Sequence, residues 1–489
     1  MAAQVAETVA TPAAEAALVV AKQSLHRLLF KEGSSSRSVG KVLSRWLKDT
    51  KQFNQWEVGT SVRILRKRKK FSLALKLLET ASKRGMDLTA SHEAIKIDLL
   101  SKIKGIVVAE KYFTDLPEPS KNHQSYGALF NCYCNGKMTE KAETLMEKMK
   151  EQKFVSNPLA FNSLMALYSK GGKPEKVPAV IQDMKANKVM LDVFSYNVWM
   201  RSLAALGDIP GVEKILDEMK GDNSVTADWT TYSNIASIYV NAGLKEKAED
   251  ALKELESKMD VHRLPAFHFL MSLYGRTGNL TEVYRVWRSL KLACPKTVNL
   301  NYLIMIQTLV NLGDLPGAEK CFKEWEADCP KYDVRLPNVL IGAYVKGGEI
   351  EKAEAMREQA VSRGAVLNTT TWEIFFNYYF ATKQFNISVK CMENAIAATG
   401  KRDKNKWTPA QETVESMMTH FEEQRDVDGA ENLVQILKKA GSLNSAVYES
   451  LIRTYVAAGK KSPDMRQRLE TDNLKVNPET EKMLQSIST

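Results

Sequence analysis

Five cations follow one another at Arg66, Lys67, Arg68, Lys69 and Lys70 in the stretch RILRKRKKF. Side chains of this kind neutralise phosphates and release their counterions, so the run suits a polyanion backbone. Crowded into one turn they repel one another, which makes an anionic partner a better explanation than a solvated loop. A second chemistry recurs further along. Asn162 in AFNSLM and Asn197 in FSYNVWM each follow an aromatic residue, and Ser233 takes the same place in TYSNIA, at steps of 35 and 36 residues. Amides and hydroxyls donate and accept hydrogen bonds at once, so the repeated phrase offers either recognition or local capping.

The motifs of known catalytic sites are missing from the sequence: it has no glycine-rich phosphate loop, no His-Glu-x-x-His and no nucleophile elbow. Cys132, Cys134, Cys294, Cys321, Cys329 and Cys391 lack the paired spacing of a zinc site or a secreted disulfide framework. A binding protein of a reducing compartment is therefore expected, not an enzyme, with no metal, cofactor or small-molecule substrate. The longest apolar runs fall short of the eighteen residues a membrane helix needs. The N-terminal MAAQVAETVATPAAEAALVVAK holds two glutamates and no arginine, a poor match to a secretory signal or a transit peptide. Lysine and arginine outnumber acids by 69 to 58, a formal +11 that favours an anionic partner.

What positions these residues is a repeat. Gly172, Gly207, Gly243, Gly278, Gly313 and Gly348 fall at steps of 35, 36, 35, 35 and 35. A glycine just past a helix end can turn left-handed, so each is expected to stop a helix. Apolar residues at spacings 0, 3, 4 and 7 precede each stop, as in Tyr196, Trp199, Met200 and Leu203, and a second such stripe follows, as in Val212, Ile215, Leu216 and Met219. GDIPGVEK at Gly207 returns as GDLPGAEK at Gly313, with an aspartate to cap and a proline in the first turn. The pattern predicts all-α units of two helices and a turn, starting near Gln55, Ala90, His123, Pro158, Val193, Trp229, Leu264, Asn299, Val334, Thr369, Gln411 and Ser445. The stripes are read as inter-helix core, since one helix pair cannot bury its own face. Residues 1–54 are expected to form an extension and helical cap, with helices around 25–31 and 38–50. The repeats then run 55–403 and 411–479, separated by an insertion at 404–410 and followed by a tail at 480–489.

The 35-residue two-helix unit, with Tyr-Asn early in the first helix and a mid-unit glycine, resembles the pentatricopeptide repeat family over roughly residues 55 to 479. The tetratricopeptide period and signature do not fit. The resemblance implies a right-handed superhelical α-solenoid of about twelve repeats, with single-stranded RNA along its groove and two side chains per unit reading one base. Carried over unit by unit, Asn162 with Asp192 and Asn197 with Asp228 match the family's combination for uridine, and Asn338 with Asn368 a pyrimidine combination. The scheme fails at Gly59 with Thr89, Gly127 with Asn157, Ser233 with Arg263, His268 with Val298, Leu303 with Asp333, Glu373 with Asp403 and Glu449 with Glu479. A sequence-specific reader of a long tract is thus not expected, and binding by charge and shape is.

LHRLLFKEG, QWEVGTSVRILRKRKKF, FSYNVWM and LTEVYRVWRSLK look like a plant organellar P-type subgroup that includes members built into the mitochondrial ribosome. That likeness implies a ribosomal component contacting ribosomal RNA and neighbouring proteins in the mitochondrion. The alternatives are a factor for one organellar transcript, a chloroplast address, and a protein-binding α-solenoid scaffold.

Overall fold

The computed structural model describes residues 25–32, 36–50, 55–260, 263–295, 297–329, 331–399, 407–475 and 477–488. All regular structure among them is helical. The chain divides into two compact units, Met1–Ala242 and Gly243–Thr489. The N-terminal unit opens with helices Leu25–Glu32 and Ser36–Thr50, which pack on the first hairpin, Gln55–Lys67 with Phe71–Lys83. Four further hairpins begin at Ala90, His123, Pro158 and Val193, and the helix Trp229–Asn241 closes the unit. The C-terminal unit starts with Lys245–Lys258. Hairpins then begin at Leu264, Asn299, Arg335, Thr369, Gln411 and Ser445, and Pro478–Ser488 ends the chain.

Helix stops follow the glycines. All six members of the regular series have φ between 70° and 89°, the left-handed region a side chain resists. Helix starts follow the caps. Asn157, Asp192, Asp228, Asn368 and Asn444 are extended residues whose side chains accept backbone N–H groups of the first turn. Each such cap stabilises its helix by about 1 kcal/mol. The ninth first helix begins at Arg335, one residue after the expected Val334. Residues 480–488, expected as a tail, belong instead to a helix that buries Leu484 and Ile487 and covers the last hairpin. The Ser462 N–H donates to the Ile487 carbonyl at 2.8 Å. Of the expected insertion, 407–410 is extended and places Trp407 edge-on against Phe376, while 404–406 lies outside the described residues.

Within each unit, successive first helices pack on one another, and second helices pack chiefly on first helices. The seams are apolar: Phe161, Met165, Ile181 and Met184 in one hairpin and Leu336, Leu340, Ile341 and Ala353 in another are buried. Burying a leucine or isoleucine of this kind contributes about 1.5–3 kcal/mol. A polar staple repeats beside them. Tyr168, Tyr344, Tyr379 and Tyr455 donate to Glu143, Glu319, Glu354 and Glu431 on the preceding second helix, at 2.6, 2.8, 2.5 and 2.8 Å. Burial and these carboxylates push the Tyr168 and Tyr344 hydroxyls well above the ordinary range, so they stay donors.

Candidate nucleic-acid interface

The repeated aromatic-polar phrase sits on the second turn of a first helix, and the following hairpin's N-cap comes back beside it. The Asn162 amide donates to both Asp192 carboxylate oxygens at 3.0 and 3.1 Å. Its carbonyl accepts from the Ser195 hydroxyl at 2.7 Å. Asp192 in turn caps the Ser195 N–H at 2.8 Å. Asn338 repeats the arrangement, donating to Asn368 at 3.1 Å and accepting from Thr371 at 2.8 Å. With 6% and 7% of their surfaces exposed, Asn162 and Asn338 are held inside the protein.

The third expected pair is not assembled in this way. Asn197 donates to Thr231 at 3.3 Å, while Asp228 caps the N–H groups of Thr230 and Thr231 at 3.0 Å each. Thr231 stands between the two, and the Asn197 side-chain oxygen is buried without a partner. The same register recurs at other positions: His268 Nε2 lies 2.7 Å from Asn301 Oδ1, and a Cβ on Gly59 would come within 2.9 Å of His92. The early position of one first helix therefore meets the third residue of the next first helix. Sequence reasoning named Asn162, Asn197 and Asn338 but missed Ser195, Thr231 and Thr371. Their signal was a small hydroxyl residue three places after the N-cap.

Two open cavities lie over the first helices of the N-terminal unit. One, about 530 Å³, is lined by Arg66, Asp98, Gln124, Gly127, Asn131 and Asn157. The other, about 280 Å³, shares Asn131, Asn135 and Leu159 with it and adds Asn162, Asp192 and Phe194. Leu159 and Phe194 are 63% and 48% exposed and offer apolar surface beside the Asn162–Asp192 pair. In the C-terminal unit a cavity of about 480 Å³ is lined by Gln411, Glu415, Asn444, Glu449, Ser450 and Arg453, where the acids would oppose a phosphate.

The five-cation run is not uniform. Arg66 is half-buried and paired with Asp98 at 2.7 Å, and Arg68 lies 4.8 Å over the Phe30 ring. Lys67, Lys69 and Lys70 are exposed.

Residues 124–154, 159–189, 194–224, 230–259 and 337–364 match the PPR repeat pattern. A mitochondrial pentatricopeptide repeat-containing protein of Arabidopsis thaliana is 38% identical over 467 residues, spanning 95% of this chain and 87% of that protein. The chain belongs to the pentatricopeptide repeat family. Another Arabidopsis thaliana protein, large ribosomal subunit protein mL101 (rPPR4), is 56% identical over 468 residues, covering 96% of this chain and 95% of that protein. The crystal structure of the maize pentatricopeptide repeat protein PPR10 aligns with 92% of this chain and 75% of its own at 14% identity, with a TM-score of 0.38. In pentatricopeptide repeat terms, the early asparagine and the last residue of the unit join neighbouring repeats here at Asn162–Asp192 and Asn338–Asn368.

Proposed function

We propose that this chain is a structural component of the large subunit of the plant mitochondrial ribosome, holding ribosomal RNA by charge and shape and neighbouring proteins through its stacked hairpins. The observation that carries this reading is the 56% identity to mL101 from end to end of both chains. The hydrogen-bonded state of the early asparagines supports it, because amides already satisfied by the next hairpin have little capacity left to select a base.

The role is one of binding, without catalysis. Burial pushes the Cys134 and Cys321 thiols up to about 12 and Cys391 to about 11, so none is a ready nucleophile. A local base contact belongs at Asn162 and Asp192, where Leu159 and Phe194 can flank a flat ring. Fractionation of plant mitochondrial extract with and without ribonuclease tests the reading. The protein should migrate with the large ribosomal subunit and be displaced by ribonuclease. Migration as a small free particle bound to one transcript would overturn it in favour of a transcript-specific factor.

A further inference from the structure

The regular glycine series shows what the turn inside a hairpin requires, a left-handed residue just past the first helix. In four hairpins that place is filled by a cation: Lys69, Lys137, Lys383 and Arg425 have φ of 57°, 56°, 58° and 57°. Glycine would take this conformation without strain, so a lysine there needs a compensating gain. Part of it comes from the negative end of the helix dipole.

The N-terminal unit adds a second observation. Residues 25–70 contain 13 lysines and arginines against 3 acids, a net +10 out of +11 for the chain. The ends of its first helices carry Lys31, Lys67, Lys69, Lys70, Lys137 and Lys170, all exposed, and none of these has an acidic partner among the described residues. Phe30 brings the helix carrying Lys31 against Arg68 of the first turn, and Phe71 sits 5.0 Å from Lys102 at the end of the next first helix. The cations of successive turns therefore form one edge.

We propose that this edge, the hairpin turns of the N-terminal unit together with Lys31, binds the phosphate backbone of double-helical RNA. The inference rests on the ribosomal reading above and names the form of RNA held. Single strands are held by stacking on free aromatic faces. Here both rings at the edge are covered by Arg68 and Lys102, so backbone charge and groove shape are what the surface can read. Packed helices stand 8–10 Å apart, so four successive turns extend roughly 30 Å. Duplex phosphates at one charge per about 1.7 Å easily match that length.

The full-length protein with Lys69→Gly and Lys137→Gly, titrated with a 20-base-pair RNA duplex and with oligouridine of equal length, tests the proposal. Because glycine suits both turns, the melting temperature should be unchanged or higher. Duplex affinity should fall about tenfold, and the slope of log affinity against log salt should shrink by about two, one per lysine lost. A second variant, Lys67→Gln with Lys70→Gln, should act in the same direction. Duplex affinity and slope equal to wild type in both variants, or a loss confined to oligouridine, would overturn the proposal. Should the variants bind duplex normally while the native protein still migrates with the large ribosomal subunit, the edge assignment fails and the ribosomal reading stands.

Discussion

Residues 1–242 carry 35 lysines and arginines against 25 acids, a net +10, whereas residues 243–489 carry 34 against 33, a net +1. Both units are built from the same hairpin, and each contains one complete asparagine lock, at Asn162 in the first and Asn338 in the second. The tyrosine staples likewise occur in both. What holds hairpin to hairpin is thus shared, while the means of attracting a polyanion are concentrated in one unit. Family membership explains the shared part. The unequal part belongs to the task of this chain.

The largest expected difference between the units is in RNA binding. Replacing Lys67, Lys69 and Lys70 with Gln should lower RNA affinity at moderate salt by tenfold or more, by an estimate of about one phosphate contact per lysine. Replacing Lys346, Lys383 and Lys460 in the C-terminal unit should change it by less than about threefold. Equal effects in a filter-binding or anisotropy titration would remove the distinction.

The locks should show the opposite pattern, with similar effects in both units. Asn162→Ala leaves Asp192 and Ser195 short of partners in a buried place, and Asn338→Ala does the same to Asn368 and Thr371, so each should cost about 1–3 kcal/mol in denaturant unfolding. Loss of uridine preference without loss of stability would instead make Asn162 a reader of bases first. The staples should matter less: Tyr168→Phe and Tyr344→Phe should each cost about 1 kcal/mol. A smaller effect is expected in acid. Hydrogen bonds from Lys176 and Tyr168 hold the Glu143 carboxyl below its ordinary value of 4.5. Its contribution is present above that value and is lost as pH falls through the lower, folded value. Below pH 4.5 the melting temperature of the wild type should therefore fall more steeply than that of Glu143→Gln, and parallel curves would show the pair to be idle.

The fold was readable because its signals have local physical causes. Gly207 and Gly313 stop helices wherever they occur, and Asp208 and Asp314 restart them by accepting the Gly211 and Gly317 N–H groups at 2.8 and 3.0 Å. Lys69, Lys137, Lys383 and Arg425 serve the same turns, but lysine and arginine carry no conformational signal, so those stops were read only from the frame. The helix Pro478–Ser488 was missed because its apolar stripe is short and its stability comes from the hairpin beneath it. The site was half legible. Spacing placed Asn162 beside Asp192 and Asn197 beside Asp228 alike, yet Thr231 intervenes only in the second case. A period fixes where a residue stands on its helix, while the choice of partner depends on rotamers and on the residue across the seam.

Charge without sequence selection is the centre of the account, and one titration tests it most directly. Affinity of the full-length protein should be measured across a salt series with two structured RNAs of equal size and unrelated sequence. Affinities within about threefold of each other, falling together with a log–log slope of about −3 or steeper, are expected for a surface that gathers phosphates. A preference of a hundredfold or more for one sequence, or affinity that ignores salt, would contradict it.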